Sequence, residues 1–286
     1  MAGVGRCIVT TIYAARRPAG NLGVAYNIVR CDLDGAALVQ FAAPPVGRSF
    51  TRPIVSSSGR VAWWEVEQGG SHDSPWSMFA ARWWVDGVIQ PRPKGWLACG
   101  HLEWHPDGRR MVAAVWKWWT QDFRPWIFAD EKWTEIRSRE SGEYDPSYAA
   151  DGRLVTARKR GSGYVVDLGA TEHPVPGGQT FDPAISPDGQ RCAVLVMETA
   201  QRWRIDLIDL ADGTRRTVLA ARQGDLNSAP RWIDNDRLLV CRCLPDDAWT
   251  WRPWILPADG RTPTACWSPR AAQRIGSVEY AFPVAS

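Results

Sequence analysis

Four ionisable residues occupy equivalent positions in a short phrase of sequence that is repeated along the chain. Each immediately precedes the proline of its repeat, or the residue that aligns with that proline. They are Arg52, His101, Asp145 and Asp182, with Ala229 and Thr264 at the two remaining copies. Carboxylates and imidazoles exchange protons in general acid–base catalysis, and a guanidinium binds anions. If every copy of the phrase folds alike, these side chains converge on one pocket.

This convergence has two interpretations. In the functional one, Asp145 and Asp182 act as acid, base or ligand anchor, while His101 carries a proton and Arg52 binds an anion. In the structural one, the same polar groups bind backbone amides of neighbouring strands and hold the ring together. The residue pattern leaves both interpretations open.

A second set of chemical groups alternates along one segment, namely Cys99, His101, Glu103 and His105. Thiolate, imidazole and carboxylate all bind zinc and related metals. On an extended strand, however, the four would share one face and spread over roughly 20 Å, too far for one ion. At most two neighbours could share a metal, with Asp145 or another part of the fold completing the shell. We therefore predict no metal and no cofactor, with Cys99 and His101 as the weak candidates.

Tryptophan is unusually abundant, with 18 in 286 residues. The tripeptide Arg-Pro-Trp occurs twice, at Arg124-Pro125-Trp126 and at Arg252-Pro253-Trp254, and each copy follows a Trp-rich stretch. We predict an exposed aromatic platform that stacks on a flat ligand, a sugar or a peptide. Its residues are Trp116, Trp118, Trp119, Arg124, Trp126, Trp249, Trp251, Arg252 and Trp254. The alternative is that these rings pack between neighbouring sheets.

The recurring phrase is a turn flanked by apolar runs. It reads PIVSSSGRVAWW at 53–64, LEWHPDGRRMVAAVW at 102–116, PSYAADGRLVTA at 146–157, PAISPDGQRCAVLV at 183–196 and PRWIDNDRLLVC at 230–241. Pro presets φ, Asp bonds the following backbone and Gly accepts positive φ, so each copy predicts a hairpin between two short strands. A second turn with an aromatic-led strand follows in most units.

Four short strands repeated six times predict a radial fold in which no unit buries its faces alone. We expect a single all-β domain over 1–286, a six-bladed β-propeller. The half-repeat at 4–12 and the segment ACWSP at 265–269 would together complete one blade, so that pairing between residues near 4–13 and 264–282 closes the ring. Seven blades are the alternative if the C-terminal segment forms its own blade.

The phrase resembles the WD40-like repeat of TolB-type propellers. The best copies are WHPDGR at 104–109, ISPDGQ at 185–190 and WSP at 267–269. Such propellers serve as interaction platforms, periplasmic binding modules and gating domains of prolyl-oligopeptidase-like enzymes. The resemblance therefore implies the fold but does not choose among functions.

Several classes of function are disfavoured. The net charge is only +3, so we expect no nucleic-acid partner. No apolar stretch is long enough to span a membrane, and no nucleophile elbow, P-loop or dinucleotide motif occurs. Seven scattered cysteines and no export signal predict reduced thiols and a cytoplasmic location. We also expect a monomer.

The function we predict is binding of a small molecule or peptide at the mouth of the central channel and at the Trp-rich loops. A protein partner is the other ligand class that such a surface would suit. The alternative is an isomerase, lyase, cyclase or hydrolase that uses the ionisable residues of the channel mouth.

Overall fold

The computed structural model describes residues 11–17, 26–67, 81–92, 97–117, 122–136, 143–220, 222–245 and 250–284. Within these ranges the chain forms six antiparallel sheets and one short helix. Six sheets confirm the predicted six-bladed β-propeller. The described helix is too short to cross a membrane.

The strand bounds, taken blade by blade, are as follows. Blade 1 holds β1 (Thr11–Arg17), β2 (Asn27–Asp32) and β3 (Val39–Ala42), and blade 2 holds β4 (Arg48–Val55), β5 (Val61–Glu67), β6 (Arg82–Val85) and β7 (Val88–Ile89). Blade 3 holds β8 (Leu97–Trp104), β9 (Met111–Lys117), β10 (Asp122–Ala129) and β11 (Lys132–Glu135). Blade 4 holds β12 (Glu143–Tyr148), β13 (Leu154–Arg160), β14 (Gly163–Asp167) and β15 (Glu172–Val175).

The last two blades and the C-terminal elements complete the ring. Blade 5 holds β16 (Gln179–Ile185), β17 (Arg191–Thr199), β18 (Arg202–Asp209) and β19 (Arg215–Leu219). Blade 6 holds β20 (Leu226–Asn227), β21 (Arg231–Asp234), β22 (Arg237–Cys243), β23 (Trp251–Pro257) and β24 (Thr264–Ala265). Helix α1 (Pro269–Ile275) and β25 (Ser277–Val284) follow, and β25 joins blade 1 beside β1.

The two ends of the chain close the ring by strand pairing, as predicted. Strand β25 runs antiparallel to β1, with Thr11 opposite Val284 and Ala14 opposite Ala281. The predicted location of the closing strand, ACWSP at 265–269, is wrong. Thr264 and Ala265 form the outer strand of blade 6, so Thr264 does not face the channel.

The reason for this error is that Ser268 and Pro269 begin a helix. The Ser268 side chain accepts a hydrogen bond from the amide of Ala271, and Pro269 occupies the first turn. Serine before proline is a common helix start. The serine hydroxyl accepts a hydrogen bond from a free backbone amide of the first turn, and proline has no amide hydrogen that would need an acceptor. The chain therefore makes about two helical turns before it enters β25.

The recurrent turns form as their chemistry predicts. In blade 3 the Asp107 carboxylate accepts hydrogen bonds from the amides of Arg109 and Arg110, and Gly108 has a φ of +67°. Gly189 in blade 5 has a φ of +74°. Only glycine adopts this conformation at little cost, so these positions fix where each hairpin turns.

Adjacent tryptophans are buried on opposite faces of one blade. Trp63 and Trp64 in β5 are 1% and 4% exposed. The Trp63 side packs with Phe50 and residues of blade 1, whereas the Trp64 side packs with Trp83 and residues of blade 3. A sheet covered on both faces is the environment that a tryptophan pair needs, and neighbouring blades supply it.

Candidate functional site

The innermost strands of four blades are irregular next to the four predicted ionisable residues. The pairing of the first two strands shifts between Thr51 and Ile54, between Ala98 and Leu102, between Glu143 and Asp145, and between Phe181 and Ala184. Such bulges redirect side chains and are frequent beside functional sites. Arg52 and Asp182 each have a φ of +48°, in the left-handed region that side chains disfavour.

These irregular strands bring three side chains from three blades into contact. His101 Nδ1 of blade 3 lies 2.6 Å from Asp182 Oδ1 of blade 5. Asp145 Oδ2 of blade 4 accepts a hydrogen bond of 3.1 Å from the backbone amide of Asp182. All three side chains are buried. Arg52 of blade 2 approaches the same carboxylate, with 3.8 Å between its Nη1 and Asp182 Oδ1.

Two further residues complete the cluster. Arg231 of blade 6 places Nη2 3.0 Å from His101 Nε2 and donates from Nη1 to Glu103 Oε2 at 2.9 Å. Glu103 was predicted only as a potential metal ligand, and Arg231 was not among the predicted site residues. A signal for Arg231 was present in the repeat, because it lies two positions after Ala229, just as Glu103 lies two positions after His101. We call these six residues (Arg52, His101, Glu103, Asp145, Asp182, Arg231) the channel cluster.

The pKa values of the two aspartates in the channel cluster are shifted in opposite directions. Burial and the negative charge of Asp182 raise the pKa of Asp145. The pKa of Asp182 is lowered despite its burial, because His101 bonds to it and Arg52 lies nearby. Paired acids with opposite pKa shifts are a recurrent feature of sites that exchange protons, although structural ion pairs produce them too.

The pKa values of His101 and Glu103 are also shifted. Burial and the Arg231 charge lower the pKa of His101, but its hydrogen bonds with Asp182 and Glu103 outweigh them, so the net shift is upward. Burial alone would raise the pKa of Glu103, but the Arg231 charge and the His101 contact lower it. The channel cluster therefore has three carboxylates against two guanidiniums, and a proton on His101 or Asp145 compensates the excess charge.

A small cavity lies inside the cluster. Its volume is about 20 Å³, and its wall includes Arg52, His101, Asp182, Ala229, Arg231 and Ala281. A cavity of this size holds about one water molecule. Ala281 of β25 occupies the sixth position around the channel, where the sequence analysis had placed Thr264.

The residues predicted as candidate metal ligands do not all lie at one site. The backbone of Cys99 lies in β8, but its side chain is outside the described part of the structure. His105 lies in the hairpin turn, where its ring packs edge-on against Tyr148 and its Nδ1 is 3.0 Å from Asp107. Among the described residues, the one group that could hold a metal is His101 with Asp145 and Asp182.

The described members of the aromatic platform lie in packing positions. Trp126 and Trp254 are half-buried against the cores between blades, and the Arg242 guanidinium lies 5.0 Å from the Trp254 ring centre. Trp251 and Arg252 are also half-buried, and Arg124 forms an ion pair with Glu135. Trp118, Trp119, Trp249 and the side chain of Trp116 are outside the described residues. The platform stays a prediction.

A wider surface groove lies between blades 4 and 5. Its volume is about 490 Å³, and Lys159, Tyr164, Gly178, Met197 and Glu198 contribute to its wall. Gly178 is required there, because a Cβ atom would lie 2.5 Å from the carbonyl oxygen of Met197. The volume is within the range of small-ligand pockets. The sequence analysis did not identify this groove.

Comparison with known proteins gives structural but not sequence similarity. No protein-family model matches the chain, and no curated protein matches it. TolB from Acinetobacter baumannii superimposes with a TM-score of 0.60 at 14% identity, over 96% of this chain and 66% of that one. The chain therefore spans just under two thirds of the length of that TolB.

Two other solved structures have the same fold. The putative TolB from Agrobacterium tumefaciens gives a TM-score of 0.59 at 12% identity, over 96% of this chain and 98% of that one. Oligogalacturonate lyase from Vibrio parahaemolyticus gives 0.52 at 12% identity, over 89% and 78%. Similarity at this level establishes architecture alone, because propellers host unrelated functions. The chain is therefore a six-bladed β-propeller with the fold of the TolB-like propellers.

Proposed function

We propose that the mouth of the central channel binds a small molecule or a peptide that carries an anionic group, and that Arg52 contacts this group. The proposal rests on the difference in solvent exposure between the side chains of the channel cluster. The Arg52 side chain is 23% exposed, whereas those of His101 and Asp182 are 2% and 6% exposed. A ligand that enters the channel meets the guanidinium first.

The contact between Arg52 and Asp182 supports this role. At 3.8 Å between Nη1 and Oδ1 it is an ion pair rather than a hydrogen bond, and it holds the guanidinium at the wall of the cavity. The planar guanidinium can donate two parallel hydrogen bonds to a carboxylate or a phosphate. The cavity beneath holds about one water molecule, so the ligand would lie at the mouth with its anionic group against Arg52.

A thermal-shift screen of small carboxylates and peptides, followed by titration calorimetry, tests this proposal. We expect Arg52→Ala to weaken the binding of a confirmed ligand by about tenfold or more. Arg60→Ala is the matched control, because Arg60 pairs with Asp86 on a hairpin of the same blade. Equal affinity in wild type and Arg52→Ala would exclude the channel mouth.

The Trp-rich loops remain the proposed site for the apolar part of the ligand. Tryptophans stack on sugar rings, flat ligands and peptide side chains. Trp119→Ala and Trp249→Ala should each weaken the same ligand, with Trp133→Ala as a control at an outer strand. Loss of binding in the loop variants alone, with Arg52→Ala unaffected, would move the site from the channel to the loops.

Catalysis at the channel is the second candidate, and the contact of 2.6 Å between His101 and Asp182 favours it. An imidazole oriented by a carboxylate is a common acid–base arrangement. If the protein is an isomerase, lyase, cyclase or hydrolase, Asp182→Asn should lower turnover by on the order of 100-fold while ligand binding persists. A turnover unchanged in Asp182→Asn and in His101→Gln would exclude this role.

We also propose that the protein is a monomer in a reducing compartment, the cytoplasm. Its support is that the cysteines described by the structure (Cys31, Cys192, Cys241, Cys243 and Cys266) are all free thiols. Thiol titration of the unfolded protein from its native compartment should give seven free groups, and light scattering should give the mass of one chain. Disulfides in the native protein would contradict the location.

A further inference from the structure

We infer that the channel cluster contains a binding site for a divalent transition metal, Zn²⁺ or Mn²⁺, with His101, Asp145 and Asp182 as its protein ligands. One ligand atom from each of the three lies within 4.8 Å of the other two. Metal ligands at about 2.1 Å from a shared ion are separated by about 3–4 Å, so small side-chain rotations complete the site. The site does not depend on the anionic ligand proposed above.

The three ligands come from three different blades, which makes the site a property of the closed ring. His101 belongs to blade 3, Asp145 to blade 4 and Asp182 to blade 5. All three side chains are buried, so their positions are set by packing rather than by solvent-exposed loops. A preformed set of ligands lowers the cost of ordering them around an ion.

Charge balance is compatible with a cation, which would replace the proton that compensates the excess negative charge on His101 or Asp145. Glu103, Asp145 and Asp182 contribute three carboxylates, whereas Arg52 and Arg231 contribute two guanidiniums. Glu103 is paired with Arg231, and Asp182 lies near Arg52. Asp145 forms no ion pair within the described part of the chain, and its hydrogen bond comes from the Asp182 amide. The positive charges that act on Asp145 are those of His101 and Arg52, and a bound cation would add a direct partner for this buried carboxylate.

The surroundings of His101 fit a metal ligand. Its Nδ1 faces Asp182, and its Nε2 lies 3.5 Å from Glu103 Oε2. Arg231 Nη2 lies 3.0 Å from the same Nε2, so with a metal on Nδ1 and the proton on Nε2 the guanidinium must turn fully towards Glu103, which then accepts the Nε2 proton. A carboxylate on the far nitrogen of a metal-bound histidine fixes the ring and raises its basicity. Arg231 in turn holds Glu103 at 2.9 Å.

The donor set selects the class of metal. One imidazole and two carboxylates suit Zn²⁺ and Mn²⁺, whereas Ca²⁺ prefers six to eight oxygen ligands and Mg²⁺ an octahedron of oxygens. Three protein ligands leave at least one coordination position open. The neighbouring cavity of about 20 Å³ has room for about one water molecule in that position.

Metal binding can be measured directly on the full-length protein after treatment with EDTA. We expect calorimetry with ZnCl₂ or MnCl₂ to show one ion per chain and a raised melting temperature, with no comparable effect of MgCl₂ or CaCl₂. Asp145→Asn should weaken metal binding by about 100-fold or more, and Glu103→Gln by about 10- to 100-fold. Because asparagine still accepts the Asp182 amide, Asp145→Asn should leave the fold of the metal-free protein intact.

The controls separate this site from metal bound elsewhere on the surface. His105→Asn removes a histidine from the adjacent turn, and Asp151→Asn removes an exposed turn carboxylate; both should bind the metal as wild type does. Binding of Zn²⁺ and Mn²⁺ that is equal in wild type, Asp145→Asn and Asp182→Asn would overturn the inference. Absence of any saturable binding at 100-fold molar excess of both metals would overturn it as well.

Discussion

The unusual backbone of Arg52 and Asp182 concentrates conformational strain at the channel. Both have a φ of +48°, whereas most other positive φ values in the described residues belong to glycines. A side chain in this region costs about 1 kcal/mol or more relative to glycine. The bulges lie at these two residues, where Asp182 contacts His101 and Arg52 approaches Asp182. The strain is thus coupled to the position of the charged groups.

This backbone distinguishes two substitutions of Asp182. Asparagine tolerates the left-handed region and preserves the shape of the side chain, whereas alanine does neither. We expect Asp182→Ala to lower the free energy of unfolding by about 1 kcal/mol more than Asp182→Asn does. Chemical denaturation of the two variants measures the difference. Equal stabilities would show that the local backbone relaxes in solution.

The ion pair between Arg231 and Glu103 permits a double-mutant cycle. Both side chains are largely buried, and their atoms are 2.9 Å apart. Arg231→Met leaves Glu103 buried without its cation, so we expect a loss of about 3 kcal/mol in unfolding free energy. Glu103→Gln in the same protein should restore part of that loss. Additive effects of the two substitutions would mean that the pair does not contribute to stability as a unit.

At the scale of elements, packing against blade 1 fixes the position of helix α1, which precedes β25. Gly35, in the turn between β2 and β3, has a φ of +82°, and a Cβ atom there would lie 2.5 Å from Ile275 Cδ1. Ile275 and Trp267 belong to the core that joins blades 1 and 6. The turn must therefore be glycine both for its backbone and for its close approach to the helix.

Substitution of Gly35 tests the packing of this helix. Gly35→Ala introduces both backbone strain and the clash with Ile275, so we expect a loss of about 2–3 kcal/mol in unfolding free energy. Gly59→Ala is a matched control, because Gly59 has a φ of +81° and open space around its would-be Cβ. It should lose about 1 kcal/mol through strain alone. Equal losses at the two positions would show that α1 does not pack as described.

At the scale of the whole molecule, the ring depends on the pairing of β25 with β1. Without β25, blade 1 loses its innermost strand and exposes the edge of β1 to solvent. The cores on both sides of blade 1 include residues of β25. An open ring would therefore lose hydrogen bonds and two packed faces at once.

Deletion of residues 277–286 tests this closure. We expect the truncated chain to lose its cooperative thermal transition, because the edge of β1 stays unpaired. Deletion of residues 285–286 alone is the control and should leave the melting temperature within about 2 °C of the wild-type value, since no described strand is shortened. A truncated protein that keeps its thermal transition would contradict the role of β25.

Several features of this protein were determined by local sequence chemistry. Proline, aspartate and glycine at fixed offsets specify hairpin turns whatever surrounds them, and their repetition therefore predicted six blades of four strands. The same repeat placed Arg52, His101, Asp145 and Asp182 at equivalent points of the inner strands. The start of α1 at Ser268 and Pro269 was readable in the same way, but these residues were assigned to the predicted closing strand at 265–269.

Other features were decided only by the closed tertiary structure. His101 contacts Asp182 across 81 positions of sequence and Arg231 across 130, so neither contact exists until several blades have assembled. The partners of both ring nitrogens, Asp182 on Nδ1 and Arg231 on Nε2, come from other blades and not from the residues that flank His101. The place of β25 beside β1 has the same origin. Local propensities specify turns and strands, whereas contacts between distant strands arise when the ring closes and the apolar faces of the blades are buried together.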